Sequence, residues 1–404
     1  MTSRPVLLVY CQHSLGMGHF VRSLALATGL AERFRVIFLN GGVRPTGIVQ
    51  PDNIELIDLP PLAMAPDGSL VSPDRHYTVE SAQAFRRQRI LDVFHLVRPW
   101  VLLIELFPFG RKKFAHEVIP LLEKARHMGA RRPLVLCSLR DILVGRRPDQ
   151  QQHDERASVL ANQYFDAVLV HSDPTFIRLE ESFSPRSPLR IPVYYTGFVL
   201  AEAPPEPVLA RKPSRQIVVS AGGGIVGEPL LRAAIEAHAL LWPTTGMQMQ
   251  VVGGPFLPAT AWQSLCAAAQ EQQGLVLLRV IKNLGARLRT AAASVSQCGY
   301  NTVLDILHAH VPALVVPFAT EREDEQIRRA RRLERLGAVR VLESQHLNAS
   351  TLAAEINALL HFQPQAVNLD MAGAHNTAQL VDALAQTSLP LGPVASAPTS
   401  QGLS

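Results

Sequence analysis

The chain contains two series of short apolar segments, and a proline-rich stretch separates them. Before residue 200 the segments are PVLLVY, RVIFL, IELIDL, WVLLIEL, PLVLCSL and DAVLVHS; after residue 215 they are RQIVVSA, MQMQVVG, GLVLLRV, ASVSQ, PALVVPF and AVRVL. Helical patterns lie between the segments. Unbroken apolar strands that alternate with helices are typical of parallel sheets covered by helices on both faces. The sequence therefore predicts an α/β protein with two doubly wound domains.

The domain boundaries follow from the chain length and from the stretch LAEAPPEPVLARKPSR. A chain of 404 residues, 47% of them hydrophobic, exceeds the usual size of a single core. The prolines of the stretch prevent a regular helix or a central strand. We predict an N-terminal domain at residues 1–199, a linker at 200–215, a C-terminal domain at 216–388 and a disordered tail at 389–404.

Charge and cysteine usage limit the function classes that fit the chain. The net charge of +5 comes largely from arginine, as in residues 328–335, where we expect a solvated helix face. No basic run carries the interleaved aromatics that nucleic-acid stacking needs. The four cysteines form no Cys-x-x-Cys pair, which argues against zinc sites and disulfides. The apolar runs are too short to cross a bilayer, and the N-terminus has the pattern of a first strand and not of a signal peptide. We predict a cytoplasmic protein with no nucleic-acid partner and at most peripheral membrane contact.

The segment SVSQCGYNTVLDILHAHVPALVVPF, at residues 294–318, has the pattern of a strand, a glycine turn, a helix and a second strand. A turn at Gly299 that leads into a helix points free backbone N–H groups at one spot, and the helix dipole makes that spot attractive to phosphate. Asp305 follows within the first helical turns, where a carboxylate can accept hydrogen bonds from ribose hydroxyls. The segment therefore predicts a nucleoside diphosphate site, with Tyr300 and Asn301 at its phosphate end.

This segment resembles the donor-site motif of glycosyltransferase family 28, the GT-B group related to the peptidoglycan N-acetylglucosaminyltransferase. The likeness continues through PFATEREDEQIRRARRLERLGAVRVL, at residues 317–342, which resembles the family's Pro-Phe loop, acidic and glutamine-containing turn and long helix. The resemblance implies that Asp305 binds ribose and that Glu325 and Gln326 contact the donor sugar. Asp305 is one methylene shorter than the family's glutamate, and Glu325 replaces an amide with a charge, which leaves the identity of the donor sugar open.

The resemblance also has implications for the whole chain, which is similar to a bacterial group of predicted glycosyltransferases. It implies a GT-B fold, in which two Rossmann-like domains face each other across a cleft. A helix predicted from about residue 369 to 386 then packs back across the N-terminal domain, as the final helix does in GT-B proteins. Ile281 falls where the family lays a uracil-type base against apolar side chains.

The first strand ends in the loop CQHSLGMGHFVRSLALA. Gly16 and Gly18 permit a tight turn and a close approach of the backbone to a ligand, and His19 begins a helix. An imidazole there can remove a proton from an attacking sugar hydroxyl, and a helix start keeps it neutral. From spacing alone, His19 can equally be a residue that caps or packs beside the turn. The family's glycine-rich loop ending in Gly-His, which this loop resembles, favours the catalytic role.

The segment ELFPFGRKKF leaves a buried strand with a carboxylate and a cluster of cations. Glu105 can orient an acceptor hydroxyl or support His19, whereas Arg111 and Lys112 can meet an anionic acceptor or a membrane surface. The alternative is that Glu105 caps a turn and that the cations are solvated.

A further glycine-rich loop, SAGGGIVGEP, has the glycine spacing of a dinucleotide-binding fingerprint. The next strand, MQMQVVGG, lacks the acid that would bind a ribose in a dehydrogenase, so we reject NAD binding. We assign Gly222, Gly223 and Gly224 to a loop that faces the donor phosphates or the acceptor. A plain tight turn is the alternative.

Together these features predict an inverting hexosyltransferase that moves a sugar from a nucleotide diphosphate sugar to an acceptor hydroxyl. The acceptor is an unknown sugar, a lipid-linked molecule or a small molecule, and resemblance favours UDP. The chain has no Asp-x-Asp pair, so we predict no metal and no cofactor, with the helix start at Gly299 stabilising the departing diphosphate. One alternative is a nucleotide-sugar hydrolase, because GMGHFVRSLALA also resembles the Gly-x-Gly-His-x-x-Arg loop of the hydrolase in the pseudaminic acid pathway. Another is a nucleotide-sugar-binding regulator without catalysis.

Overall fold

The computed structural model describes residues 4–13, 17–65, 67–145, 148–201, 214–320 and 323–387. Gly16 and the predicted tail lie outside these residues, as does most of the predicted linker.

A seven-stranded, all-parallel sheet forms the N-terminal half, with the strand order β3-β2-β1-β6-β7-β8-β9. The strands are Val6–Cys11 (β1), Arg35–Asn40 (β2), Ile54–Asp58 (β3), Val101–Glu105 (β6), Leu134–Arg140 (β7), Ala167–His171 (β8) and Val193–Tyr195 (β9), and a small antiparallel hairpin contains Ala63–Met64 (β4) and Leu70–Val71 (β5). The helices of this half are Gly18–Leu30 (α1), Val79–Val97 (α2), Ala115–Arg126 (α3) and Gln150–Tyr164 (α4).

A six-stranded parallel sheet forms the C-terminal half, with the order β12-β11-β10-β13-β14-β15. Its strands are Gln216–Ser220 (β10), Gln248–Val252 (β11), Leu275–Leu278 (β12), Ala293–Ser296 (β13), Ala313–Val315 (β14) and Arg340–Val341 (β15). The helices that follow the first strand of this sheet are Glu228–Thr245 (α5), Ala259–Ala269 (α6), Leu284–Thr290 (α7), Tyr300–Ala309 (α8), Glu325–Arg335 (α9), Ala349–Leu359 (α10) and Gly373–Thr387 (α11).

The central strands bury both of their faces. In β1, Leu8 and Tyr10 belong to one core cluster of the N-terminal half, whereas Leu7 and Val9 belong to the cluster on the other face of the sheet. Successive side chains of a strand point to opposite faces, so a strand covered on both sides must be apolar at every position. This burial explains the unbroken apolar segments and confirms the predicted α/β architecture.

The last helix, α11, packs against α1 of the N-terminal half, although it follows the C-terminal sheet in the chain. Ala378, Val381 and Ala385 of α11 lie in the same core cluster as β1 residues, and Arg33 forms an ion pair of 2.8 Å with Asp382. This packing matches the expected return of the final helix, which begins a few residues later than the predicted position 369.

The helix α9 joins the two halves, and the predicted solvated face was wrong for Arg329 and Arg332, whereas Arg331 and Arg335 are exposed. Arg329 is 1% exposed and donates hydrogen bonds of 2.7 and 2.8 Å to the two carboxylate oxygens of Asp141, at the carboxyl end of β7. Its third donor bonds the carbonyl of Cys298 at 2.7 Å. Arg332 contacts Glu181, also in the N-terminal half. Arg329 and Arg332 are therefore interdomain contacts rather than a solvated surface.

Candidate active site

The start of α1 and the end of β6 meet at the carboxyl edge of the N-terminal sheet. Since β1 and β6 are adjacent parallel strands, the loop after β1 and the last residue of β6 lie side by side. The second residue of α1, His19, places its Nδ1 2.6 Å from Oε1 of Glu105. The Glu105 side chain is 1% exposed and that of His19 is 14% exposed, so the imidazole lies between the core and the surface.

The charges around this pair favour a neutral imidazole and an ionised carboxylate. Burial is the main cause that lowers the pKa of His19 to about 3; Arg111 contributes to this shift, and Glu105 opposes it. Burial alone would raise the pKa of Glu105, but His19, Arg22 and Arg111 together lower it to about 2. A neutral imidazole whose Nδ1–H is held by a carboxylate leaves Nε2 as a proton acceptor.

The loop after β6 brings Arg111 close to the His19–Glu105 pair. Leu106 and Arg111 both adopt left-handed backbone conformations, with φ values of 64° and 59°. Such conformations are uncommon for residues with side chains and recur at functional sites. Arg111 is half-buried, whereas Lys112 is exposed at the start of a 3-10 turn. Arg111 thus contributes to the electrostatics of the pair, and Lys112 faces solvent.

The start of α8 lies next to the start of α1. Asn301 donates a hydrogen bond of 3.3 Å from its side chain to the carbonyl of Gly18. Gly299 is the N-cap residue of α8, and no side chain among the described residues caps this helix start. A Cβ on Gly299 would have no heavy atom within 4 Å among the described residues. The first N–H groups of α8 therefore face an open position, as a phosphate site at a helix start requires.

The side chain of Tyr300 lies in the contact between the two halves, whereas its backbone N–H belongs to the start of α8. Its hydroxyl donates to the carbonyl of His171 and accepts from the backbone N–H of Val199, both at 2.9 Å. Burial raises the pKa of Tyr300 well above its usual range. The guanidinium of Arg22 lies 5.6 Å from the centre of the Tyr300 ring. Tyr300 thus connects the donor-side helix to the N-terminal half.

The loop with Gly222, Gly223 and Gly224 lies beside the first turn of α8. A Cβ on Gly222 would lie 3.9 Å from Oγ1 of Thr302, and the φ of Gly222 is 59°. A Cβ on Gly224 would lie 2.5 Å from the carbonyl oxygen of Gly253, so this position requires glycine. The loop therefore lies next to the start of α8, and its contact with the donor phosphates stays a prediction.

Asp305 lies beside the start of α7. One of its carboxylate oxygens would lie 3.3 Å from a Cβ on Gly285, the second residue of that helix. Ile281 precedes the same helix and is half-buried, as is Asp305. The residue predicted for the ribose and the residue predicted for the base therefore flank one helix start.

Glu325 and Gln326 have partners at the start of α9. Glu325 accepts a hydrogen bond of 3.0 Å from Arg140 of the N-terminal half. Gln326 accepts hydrogen bonds of 3.0 and 3.1 Å from the backbone N–H groups of Cys298 and Phe318. Gln326 thus fixes the loop that precedes α8. The charge of Glu325 is paired with Arg140.

Sequence reasoning gave no role to Arg22 or Arg140, although Arg22 is the arginine of the Gly-x-Gly-His-x-x-Arg likeness. Arg22 donates a hydrogen bond of 2.6 Å to Glu105. Its spacing of three from His19, which places both on one face of α1, was a usable signal. Arg140 is the last residue of β7 and lies at the same sheet edge as Glu105. No local sequence pattern predicts its pairing with Glu325, which is 185 residues away.

In the part of the chain that the structure describes, no group of three or more His, Cys, Asp or Glu side chains is placed to hold a metal ion. None of the described helices combines the length and the apolar character that a membrane span needs.

Comparisons with solved structures identify the fold. The calicheamicin glycosyltransferase CalG4 superposes with a TM-score of 0.57 and 17% identity, over 96% of this chain and 95% of that chain. Acinetobacter baumannii MurG superposes with a TM-score of 0.53 and 15% identity, over 95% of this chain and 99% of that chain. The protein therefore has the GT-B fold of glycosyltransferases, with two Rossmann-like domains, as predicted.

Sequence comparisons identify the C-terminal part. Residues 221–386 match the glycosyltransferase family 28 C-terminal domain. The UDP-N-acetylglucosamine--N-acetylmuramyl-(pentapeptide) pyrophosphoryl-undecaprenol N-acetylglucosamine transferase of Ectopseudomonas mendocina (strain ymp) is 28% identical over 162 residues. That alignment spans 39% of this chain and 43% of the relative. The chain is a GT-B protein that resembles glycosyltransferase family 28, and the predicted resemblance is confirmed.

Proposed function

We propose that the protein is an inverting hexosyltransferase that moves a sugar from a UDP-sugar to an acceptor hydroxyl without a metal ion. The observation that carries this proposal is the meeting of two helix starts. The start of α1 holds the His19–Glu105 pair, and the start of α8 beside it presents N–H groups that no described side chain caps. A base and a diphosphate site next to each other are the two parts that such a transfer needs.

In the proposed step, Nε2 of His19 takes the proton of the acceptor hydroxyl. The acceptor oxygen then forms a bond to the anomeric carbon on the face opposite the diphosphate. The bond between that carbon and the diphosphate oxygen breaks, and its electron pair stays on the diphosphate. Glu105 stabilises the imidazolium through Nδ1–H, and the start of α8 stabilises the departing charge. A single displacement of this kind inverts the anomeric configuration.

The name of the Ectopseudomonas mendocina relative supports the choice of donor. It specifies UDP-N-acetylglucosamine and a pyrophosphoryl-undecaprenol acceptor. We therefore propose a UDP-sugar donor, and either a lipid-linked or a small-molecule acceptor, with the reaction in the cytoplasm. By the resemblance to family 28, Glu325 stands at a position where the family has a glutamine. The donor sugar therefore need not be N-acetylglucosamine.

The proposal is tested by incubating the protein with a panel of UDP-sugars, with and without sugar and lipid-linked acceptors. We expect UDP release that depends on an acceptor, and a product whose anomeric configuration, measured by NMR, is opposite to that of the donor. Full-rate release of free sugar without any acceptor would instead establish the hydrolase. Binding of UDP-sugars with no turnover at all would establish the regulator.

Asp305 provides a prediction for the donor site. We expect Asp305→Ala to weaken UDP binding by about 10-fold, since the ribose would lose a charge-assisted hydrogen bond. Asp305→Glu is the matched control, because it restores the longer side chain of the family and should bind UDP within about threefold of the wild type. Isothermal titration calorimetry with UDP measures both. Equal affinity in the alanine variant would remove Asp305 from the donor site.

Metal removal provides a second prediction. Transfer measured after dialysis against EDTA should proceed at the rate of the untreated protein, because the start of α8 replaces a metal at the diphosphate. Added Mg²⁺ or Mn²⁺ should leave the rate unchanged. Activity that disappears with EDTA and returns with either ion would contradict the metal-free proposal while leaving the transferase assignment intact.

A further inference from the structure

Arg22 is a fully buried cation that contacts both halves of the site. Its side chain is 1% exposed, and its Nη2 donates to the same Glu105 oxygen, Oε1, that holds Nδ1 of His19. Both bonds are 2.6 Å long. His19 and Arg22 are three residues apart on α1, so one helix face presents both groups to one carboxylate oxygen.

The ionisation of Glu105 and the orientation of its carboxylate both depend on Arg22. Oε2 of Glu105 is buried, and no described residue bonds it, so the carboxylate is held through Oε1 alone. A buried carboxylate without a cationic partner favours its neutral form, because desolvation penalises the charge. A protonated Glu105 would lose the charge that stabilises the His19 imidazolium, and it would be free to turn away from Nδ1. Arg22 is the fixed charge that bonds this carboxylate directly and so opposes both changes, and Arg111 adds to its electrostatic effect.

Arg22 also contacts the donor-side helix. Its guanidinium lies over the ring of Tyr300, at 5.6 Å from the ring centre, within the range of a cation–π contact. Tyr300 is the first residue of α8 and directly follows Gly299. The hydroxyl of Tyr300 bonds the carbonyl of His171, at the end of β8, and the backbone N–H of Val199, which follows β9. Arg22 therefore lies between the carboxylate behind His19 and the helix proposed to hold the diphosphate.

We propose that Arg22 is a positioning residue that fixes Glu105 beneath His19 and links the orientation of this base to the packing of α8 in the domain contact. Arg22 acts through Glu105 and Tyr300 and touches neither substrate. The inference rests on the proposed function for its kinetic consequence, whereas its structural consequence, the tautomer of His19, is measurable in the protein alone.

NMR tests the structural consequence without turnover. Nitrogen-15 spectra of the histidine rings should show His19 protonated at Nδ1 in the wild type, with the signal assigned by its loss in His19→Ala. We expect Arg22→Gln to change this signal, either to the other tautomer or to an exchanging mixture, while the histidines remote from Arg22, such as His127 and His238, stay as they are; His171 is not a reference, because the charge of Arg22 acts on it. Arg35→Gln is the matched control, since Arg35 forms an exposed pair with Glu55. A His19 signal identical in Arg22→Gln and Arg35→Gln would overturn the inference.

Kinetics test the same inference through the proposed reaction. Arg22→Gln should lower kcat by about 10- to 100-fold and leave the KM for the donor within about twofold. In a His19→Ala background the same substitution should have less than about a twofold effect, because Arg22 then has no base to position. An equal loss in both backgrounds would show an independent structural role and overturn the inference.

Two further outcomes separate the possible failures. If Arg22→Gln does not fold, Arg22→Lys tests the inference in its place. Lysine keeps the charge but cannot fill the planar site between Glu105 and Tyr300. We therefore expect kcat of Arg22→Lys to be at least about threefold lower than that of Arg35→Lys. Equal kcat values for these two lysine variants would overturn the inference. If no donor supports transfer but the His19 signal responds to Arg22→Gln, the proposed function fails and the positioning role stands.

Discussion

Replacing His19 with alanine should lower kcat by about 10²- to 10⁴-fold, the usual contribution of a general base. UDP affinity should stay within about twofold of the wild type, because the imidazole contacts the acceptor and not the nucleotide in the proposed arrangement. Steady-state kinetics and calorimetry with UDP measure the two quantities. His127→Ala is the matched control, since His127 is exposed at the end of α3 and lies outside the proposed site.

The pH profile gives the same prediction a second readout. Burial lowers the pKa of His19 to about 3, so the imidazole is neutral and active as a base at all pH values above about 5. The wild-type kcat should therefore show no acid limb near pH 6.5, where an ordinary histidine titrates. Glu105→Gln removes the group that raises the pKa of His19, so its loss of kcat should not recover at high pH. Full activity of His19→Ala, or an acid limb at pH 6 to 7 that depends on His19, would contradict the assignment.

The sequence was informative where the structure depends on local patterns. The central apolar strands were predictable because they are buried on both sides, as β1 is with Leu8 and Tyr10 on one face and Leu7 and Val9 on the other. The start of α8 at Gly299 was predictable because a glycine turn before an apolar helical pattern leaves few other conformations. These two features and the resemblance to family 28 were sufficient to predict the GT-B fold. They also led to the prediction of the diphosphate site.

The sequence was uninformative where the structure depends on which distant residues meet. Arg329 lies on a helix whose interleaved charges are typical of a solvated surface, and its partner Asp141 is 188 residues away. No local periodicity encodes such a pair. The direction of Tyr300 is a similar case. A tyrosine at a helix start can point toward a ligand or back into the domain contact. The hydrogen bonds to His171 and Val199 hold the Tyr300 side chain in the domain contact.

Substituting Arg329 with methionine should have the largest effect on stability among the interdomain contacts. Arg329 and Asp141 are 1% and 0% exposed, and the substitution would leave the Asp141 carboxylate buried without its cation. Breaking a buried ion pair by removing one partner costs about 3–5 kcal/mol. Urea unfolding followed by both circular dichroism and tryptophan fluorescence measures the loss, and coincident transitions justify a single free energy of unfolding.

Arg331→Met is the matched control for this substitution, because Arg331 lies on the same helix and forms an exposed pair with Glu334 at 2.7 Å. An exposed pair contributes about 0–1 kcal/mol, so the control should unfold close to the wild type. The double variant Asp141→Leu, Arg329→Met should recover much of the loss, since it removes the unpaired charge along with its partner.

The pH dependence of this contact has a definite sign. Burial opposes the ionisation of Asp141, but Arg329 more than offsets this effect and lowers the pKa of the carboxyl below its usual value. A carboxyl group whose pKa is lower in the folded than in the unfolded state stabilises the fold above the unfolded pKa, near 4, and loses that contribution as the pH falls through the folded pKa. The difference in stability between the wild type and Arg329→Met should therefore be constant from about pH 8 to 5 and shrink below about pH 4. A difference that is absent at pH 7, or that matches the Arg331→Met control, would show that the two domains are held together by their apolar contacts and not by this pair.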